Sequence, residues 1–332
     1  MRYGGAVFFA APNTPPIMIR ILANDGIGAD GKAKMEAAGF EVVTEKVPQD
    51  QLATELKNYD AICVRSATKI REDLIDACPN LKAIARGGVG MDNIDVEYAR
   101  SKGIKVVNTP AASSRAVAEL AFGHILTIAR GLHVANRDLA GGDFAKMKKA
   151  LAGGVQLEGL TLGVVGLGRI GRESARIGLG LGMRVIGSDP FQKSVDVQVP
   201  IHGIGEAPVV RVNSLPLDEM IKHADVITMH VPAQDGKPLF GAEQLANVHD
   251  NAILVNTARG GLIDEDALLA ALEDGKIRGV ALDVFEGEPT PKPALLNHPR
   301  VSVSPHVGAA TGEAQRLIGV ELADQLIAIL KG

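Results

Sequence analysis

Residues Gly166-Leu167-Gly168-Arg169-Ile170-Gly171 form a G-x-G-x-x-G run whose setting leaves few folds open. The stretch before it, 160–165, is short, apolar and strand-like, and the stretch after it, 172–177, opens a helix. About twenty residues further on, a second strand-like run, 184–188, ends in Asp189. In such a strand–turn–helix–strand unit the first glycine permits the tight turn. The second lets the backbone approach a ligand with no Cβ between them, and the third lets the helix pack close to the strand. The helix N-terminus offers unpaired N–H groups and a partial positive charge, which suit a pyrophosphate. A carboxylate at the end of the second strand can accept hydrogen bonds from both hydroxyls of a ribose and repels a 2′-phosphate. Gly166, Gly168, Arg169, Ile170, Gly171 and Asp189 are therefore candidate contacts for a dinucleotide, NAD in preference to NADP.

The fingerprint belongs to a longer alternation of strand and helix patterns. Strands are expected at 19–23, 40–44, 61–64, 81–85 and 104–107, with helices at 31–38, 49–57, 71–77 and 96–102. One long helix is expected over 115–139, ended by Gly141-Gly142-Asp143, with Val117, Leu120, Ala121, His124, Ile125 and Ile128 on one face at 3.6 spacing. Further strands are expected at 226–229, 253–256, 279–283 and 301–304, with helices at 215–222, 265–273 and 313–331. Alternation of this kind implies parallel sheets covered on both faces. The expected fold is α/β with two doubly wound parallel-sheet domains. A flavodoxin-like substrate-binding domain would span 17–110, completed by 307–332, and a Rossmann NAD-binding domain would span 111–306. The long helix and the C-terminal helix would be the two crossings between them. Residues 1–16 read as an N-terminal extension, with Met18 as the natural start.

At 332 residues, 46% of them apolar, the chain can build two cores. A net charge of −4 and a pI of about 6.1 provide no basic field for nucleic acid or an anionic membrane. No apolar run reaches the length of a membrane span, and no signal peptide is read. The two cysteines, Cys63 and Cys78, rule out a disulfide framework and read as core thiols of a cytoplasmic protein. No cluster has the spacing of a metal site, so no metal is expected.

Ligands of open α/β sheets bind beyond the carboxyl ends of the strands. The polar residues expected there are Arg65, Arg86, Gly88, Asn108, Asp189, His230, Asn256, Thr257, Arg259, Asp283, Glu286, Glu288, Ser304 and His306. This set suits hydride transfer coupled to proton transfer. An arginine fork orients an anionic substrate and polarises its carbonyl. A histidine gains and loses a proton near neutral pH, and a carboxylate touching it holds its tautomer and stabilises the imidazolium.

Three stretches resemble signatures of the D-isomer-specific 2-hydroxyacid dehydrogenases. They are V-N-T-A-R-G-G-L-I-D-E-D-A-L at 255–268, D-V-F-E-G-E-P at 283–289 and S-P-H-V-G-A-A-T at 304–311. With the fingerprint, the resemblance covers 17–331. It implies an NAD-dependent oxidoreductase in which Arg259 pairs with the substrate carboxylate and polarises the C2 oxygen. His306 would exchange the proton, Glu288 would hold His306, and Thr257 and Asp283 would contact the cofactor, Asp283 near the nicotinamide carboxamide. The stretches V-R-S-A-T-K at 64–69 and R-G-G-V-G-M-D-N-I-D at 86–95 are most similar to family members that oxidise 3-phosphoglycerate at the start of serine synthesis. A phosphorylated hydroxy acid is charged at both ends. Arg65 and Arg86, at neighbouring strand ends, are the candidate phosphate ligands, and the N–H groups of Gly88 and Val89 are candidates for the carboxylate. Val89 departs from the threonine common in the family, which puts a cofactor hydrogen bond there in doubt. In relatives a cation from the partner subunit completes the phosphate site. Lys146, Lys148 or Lys149 is the candidate here, within a homodimer formed through 110–150. The 26 residues after His306 are too few for the regulatory domain of some relatives, so feedback through such a domain is not expected. Two other readings stay open: reduction of hydroxypyruvate or glyoxylate, and an NADH-sensing, corepressor-like binding role. Among the remaining histidines, His124 and His133 read as core or interface and His230 as either structural or cofactor-facing.

Overall fold

A computed structural model describes residues 18–233 and 236–332; the expected extension over 1–16 lies outside the described residues. The chain separates into two compact units. One contains the described residues up to Gly87, 91–108 and 319–332, and the other contains 88–90 and 109–318.

In the first unit, five strands form a parallel sheet: β1 (Arg20–Ala23), β2 (Glu41–Val43), β3 (Ala61–Val64), β4 (Ala83–Arg86) and β5 (Lys105–Asn108), in the order β2-β1-β3-β4-β5. The run Ala61-Ile62-Cys63-Val64 is buried at every position, as a strand covered on both faces must be. The covering helices are α1 (Ala29–Ala37), α2 (Leu52–Glu55), α3 (Glu72–Ala77) and α4 (Val96–Ser101). Leu22, Leu52, Leu56, Ile62, Ile84 and Ile104 meet in one core. The helix expected over 49–57 is shorter: α2 passes into a 3-10 turn at Leu56–Asn58, and Tyr59 turns extended to bury its ring and lead into β3. Both cysteines are free and buried, and burial pushes the Cys63 thiol up to about 12, which makes it inert. The strand order reverses between β1 and β3, and the loops after these strands are tied together there. Asp25 accepts from the N–H of Arg65 (2.8 Å), the N–H of Thr68 (3.1 Å) and the Thr68 hydroxyl (2.8 Å).

The second unit opens with α5 (Ser114–Arg130), which buries Ala118, Ala121, Phe122, Ile125 and Ile128. The single helix expected over 115–139 is broken at Gly131. That glycine takes the left-handed conformation (φ 66°) and gives its N–H to carbonyls of Thr127 and Ile128. A glycine reaches this region without the steric cost a Cβ imposes. The chain resumes as α6 (Leu132–Asp138), and α5 lies wholly inside this unit. Next comes α7 (Phe144–Ala150), capped by Asp143, which accepts from the Lys146 N–H at 3.0 Å; it carries Lys146, Lys148 and Lys149, all exposed.

The sheet that follows is parallel and six-stranded. Its strands are β6 (Thr161–Val165), β7 (Arg184–Ser188), β10 (Val226–Met229), β11 (Ala252–Asn256), β12 (Ile277–Leu282) and β13 (Val301–Val303), in the order β13-β12-β11-β10-β6-β7. Between β7 and β10 the chain forms an antiparallel hairpin of β8 (Ser194–Gln198) and β9 (Val209–Asn213), an element absent from the expectations. Its buried face is Val195, Val197 and Val212. The helices of this unit are α8 (Arg169–Gly180), α9 (Leu217–His223), α10 (Ala242–Asn247), α11 (Glu265–Glu273) and α12 (Pro293–Leu296). Of these, α10 and α12 are too short to show a helical period in the sequence. The last helix, α13 (Gly312–Lys331), belongs to the second unit up to Ile318 and to the first from Gly319.

Candidate active site

The fingerprint turn closes as its glycines require. Gly166 adopts φ 90°, and a Cβ there would stand 2.7 Å from the carbonyl oxygen of His230. A Cβ on Gly171 would overlap the carbonyl oxygen of Gly166. Only hydrogen at both positions lets β6 turn this sharply into α8. Gly168 is the N-cap of α8 and no side chain caps the helix, so its first N–H groups remain available to a ligand. A groove of about 960 Å³ runs past this terminus, with Gly166, Gly168, Asp189, Phe191, His230 and Val231 among its lining residues.

Asp189 stands at the end of β7. Its Oδ2 accepts from the Leu167 N–H at 2.8 Å, and its Oδ1 accepts from the N–H groups of Phe191 (2.8 Å) and Gln192 (3.1 Å). Three backbone donors thus orient the carboxylate, which has about four acceptor positions and keeps capacity for a ribose hydroxyl. His230 ends β10. Its Nε2 lies 2.8 Å from Ser174 Oγ and 3.0 Å from Thr228 Oγ1, and burial pushes the imidazole down to about 3, so it is neutral. Its Nδ1 and the Oγ1 of Thr257, just past the neighbouring β11, are buried with no hydrogen-bond partner among the described residues. Buried polar atoms are rarely left unpaired. Two of them at adjacent strand ends, beside an uncapped helix terminus and an oriented carboxylate, fit a dinucleotide.

Arg259, Glu288 and His306 follow β11, β12 and β13, three consecutive strands of the sheet, so their loops emerge side by side. Asn256 shapes the Arg259 turn: its Nδ2 donates to the Arg259 carbonyl (2.7 Å) and its Oδ1 accepts from the Ala258 N–H (3.0 Å). Glu288 Oε1 accepts from the Phe285 N–H at 2.9 Å, which leaves Oε2 to meet His306 Nδ1 at 2.8 Å. His306 adopts φ 55°, and its N–H donates to the Asp283 carbonyl at 2.8 Å. With Nδ1 given to Glu288, Nε2 is the ring nitrogen left for proton exchange. Asp283 is 1% exposed; its Oδ1 accepts from Ser304 Oγ (2.6 Å) and the Val307 N–H (2.9 Å), and its Oδ2 accepts from the Gly308 N–H (2.9 Å). The other acid of the loop, Glu286, does not touch His306; its N–H donates to Glu265, a buried carboxyl that burial pushes up. Sequence reasoning named Asn256 and Ser304 only as polar strand-end residues; their clamping roles depend on contacts between loops.

In the first unit, Arg65 follows β3 and Arg86 ends the neighbouring β4, with Val64 opposite Arg86. The Arg65 backbone is held at both ends, by Asp25 and by Asn93 Nδ2 (2.7 Å), while its guanidinium makes no hydrogen bond or ion pair among the described residues. Arg86 Nη1 donates to the Gly87 carbonyl at 3.3 Å. One candidate is corrected. The Gly88 N–H, expected to be available for a carboxylate, donates to Thr109 Oγ1 at 2.8 Å, because the chain folds back to pair Gly88 and Thr109 in both directions. Val89 is 38% exposed.

Comparison with known proteins gives this geometry a setting. The profile of the "D-isomer specific 2-hydroxyacid dehydrogenase, NAD binding domain" matches residues 122–308. The chain is 42% identical over 317 residues to a D-3-phosphoglycerate dehydrogenase of Methanocaldococcus jannaschii, covering 95% of this chain and 58% of that protein. It is 41% identical over 312 residues to a hydroxypyruvate reductase of Thermotoga maritima, covering 92% of this chain and 97% of that protein. Among solved structures, the NADPH-dependent glyoxylate/hydroxypyruvate reductase of Sinorhizobium meliloti, in complex with NADP and malonate, superposes with a TM-score of 0.75 at 31% identity, covering 93% of each chain. The chain spans a little over half the length of the phosphoglycerate dehydrogenases it matches. Among the described residues no helix is long and apolar enough to cross a membrane, and no group of three His, Cys, Asp or Glu is placed to hold a metal ion. The chain belongs to the D-isomer specific 2-hydroxyacid dehydrogenases, a family of NAD-dependent oxidoreductases, and residues 122–308 are its NAD-binding domain.

Proposed function

We propose that the chain oxidises D-3-phosphoglycerate to 3-phosphohydroxypyruvate with NAD, the first step of serine biosynthesis. The observation that carries this reading is the 2.8 Å pair of His306 and Glu288 on the loops next to the Arg259 turn. The cofactor supplies the hydride acceptor. Arg259 binds the substrate carboxylate and draws electron density from the C2 oxygen. His306 takes the hydroxyl proton on Nε2, and Glu288 holds Nδ1–H and stabilises the imidazolium by its charge. Oxidation releases a proton, so alkaline pH favours this direction. Asp189 supports NAD over NADP, because a 2′-phosphate would meet a carboxylate held in place by three N–H groups. Thr257 and Asp283 complete the cofactor contacts.

Arg65, whose guanidinium makes no hydrogen bond or ion pair among the described residues, and Arg86 are the cations assigned to the substrate phosphate. We assign the assembly as a homodimer through 110–150. Leu126, Leu132, Leu139 and Phe144 in that stretch are 42–70% exposed, an apolar surface of the kind that marks protein contacts. Lys146, Lys148 or Lys149 of one subunit would then serve the phosphate site of the other. The buried free thiols suit a reducing cytoplasm. Nearly equal identity to a hydroxypyruvate reductase supports a second reading, in which the substrate is an unphosphorylated hydroxy acid. A panel of phosphorylated and unphosphorylated substrates, run in both directions with NAD and NADP, separates the two. We expect Arg65→Ala to raise KM for phosphoglycerate about 10- to 100-fold, the loss of one charge-assisted contact, and to leave KM for unphosphorylated acids unchanged. Equal losses on both would sink the phosphate assignment.

A further inference from the structure

One buried chain of hydrogen bonds in the second unit ends on Asp283 but begins at residues the function proposed above does not use. His124, on the inner face of α5, is 6% exposed. Its Nδ1 lies 2.9 Å from Ser302 Oγ, and its Nε2 lies 2.8 Å from Ser304 Oγ. Ser304 Oγ lies 2.6 Å from Asp283 Oδ1. The protons on this chain can be assigned from its acid end. An ionised carboxylate only accepts, so the single Ser304 hydroxyl proton goes to Asp283. Ser304 must then accept from His124, which places the ring proton on Nε2. Burial lowers the His124 pKa below its ordinary value, against the opposing pull of the Asp283 charge, so the ring is neutral and Nδ1 is an acceptor. Ser302 therefore donates to Nδ1. The chain runs one way, from Ser302 through His124 and Ser304 to Asp283.

The chain also distinguishes the two oxygens of Asp283. Among the described residues, Oδ1 receives Ser304 and the Val307 N–H, while Oδ2 receives the Gly308 N–H alone. Oδ2 thus keeps an acceptor position that Oδ1 has used. Without His124, the Ser304 hydroxyl loses the donor that fixes its rotation, and Asp283 loses the partner that separates its two oxygens.

We propose that His124 is a positioning residue for the nicotinamide end of the cofactor: through Ser304 it fixes Asp283 so that Oδ2 is the oxygen with capacity for the carboxamide amine. This rests on the assignment of Asp283 to that carboxamide. The test compares NADH with ADP-ribose, which lacks the nicotinamide. His124→Leu, which keeps apolar bulk and removes both hydrogen bonds, should raise the Kd for NADH about tenfold, the worth of one oriented hydrogen bond, and leave the Kd for ADP-ribose unchanged. Ser304→Ala should do the same if the leucine variant does not fold. Equal changes for both ligands, or none for either, overturn the proposal. Asp283→Asn separates the two layers. If it shifts the NADH to ADP-ribose ratio and His124→Leu and Ser304→Ala do not, the relay fails alone; if it leaves the ratio unchanged, the Asp283 assignment falls and the relay with it. Independently of any variant's fold, ¹⁵N NMR of histidine-labelled protein should show His124 as the neutral Nε2–H tautomer at pH 7, and an Nδ1–H tautomer would overturn the chain's direction.

Discussion

His306 illustrates how a residue's chemistry is set by partners distant in sequence. Its backbone sits in the left-handed region, which a non-glycine residue occupies only when its surroundings hold it there. The Asp283 carbonyl holds the N–H and Glu288 holds the ring, so both the position and the tautomer come from the loop after β12. We expect His306→Ala to lower kcat by about 10²- to 10⁴-fold, the usual worth of a general acid–base group, with NADH binding intact in a fluorescence titration. Wild-type turnover in that variant would remove His306 from the mechanism. His230 behaves differently. In the unfolded chain a histidine takes up a proton near 6.5, whereas in the fold His230 resists protonation down to about 3. Between those values the unfolded state binds the extra proton, so stability is lost as pH falls below 6.5 and is fully present above it. The slope from this one group is at most about 1.4 kcal/mol per pH unit. Chemical unfolding at pH 7, 6 and 5 should show a flatter dependence for His230→Asn than for the wild type; parallel curves would refute the assignment.

At the scale of elements, the close approach of β6 and α8 is the feature most sensitive to a single atom. Adding a methyl group at Gly171 drives it into the Gly166 carbonyl, so the helix must move off the strand and carry its N–H groups away from the groove. Gly171→Ala should cost about 1–3 kcal/mol, as overpacking does, and weaken ADP-ribose binding in calorimetry. Unchanged affinity would show that the helix terminus does not bind the pyrophosphate. The same scale shows where pattern reading stops. The 3.6 period in α5 is plain in the sequence because one face of it is core. It continues past Gly131 through Leu132 and Leu139, yet these are 47% and 42% exposed, so the apolar period there does not report a buried face. The hairpin of β8 and β9 alternates as strands should, S-V-D-V-Q, but only three of its residues reach the core, and so short a signal is weak against an expectation of helix between parallel strands.

For the whole molecule, the exposed apolar residues of α5 to α7 predict association. Light scattering should give about twice the 34.7 kDa chain mass, and Phe144→Glu, at a side chain 70% exposed here, should shift the particle toward the monomer. A monomeric wild type would count against the dimer and against any lysine of α7 reaching a second subunit.

The sequence by itself determined the α/β class and the parallel strands, and it supplied the candidates for the site. Buried runs, turn glycines and strand-end polar residues are local properties, and Arg259, Glu288 and His306 each sit in a short motif. Tertiary structure decided which of these residues touch and which atoms remain available. It gave Nδ1 of His306 to Glu288, the amide of Gly88 to Thr109, and Asp283 a relay from a helix some 160 residues away in the chain. The reason is physical. Hydrogen-bond partners are allocated only when strands from distant parts of the chain lie side by side, and each allocation depends on angles and distances that residue types do not encode.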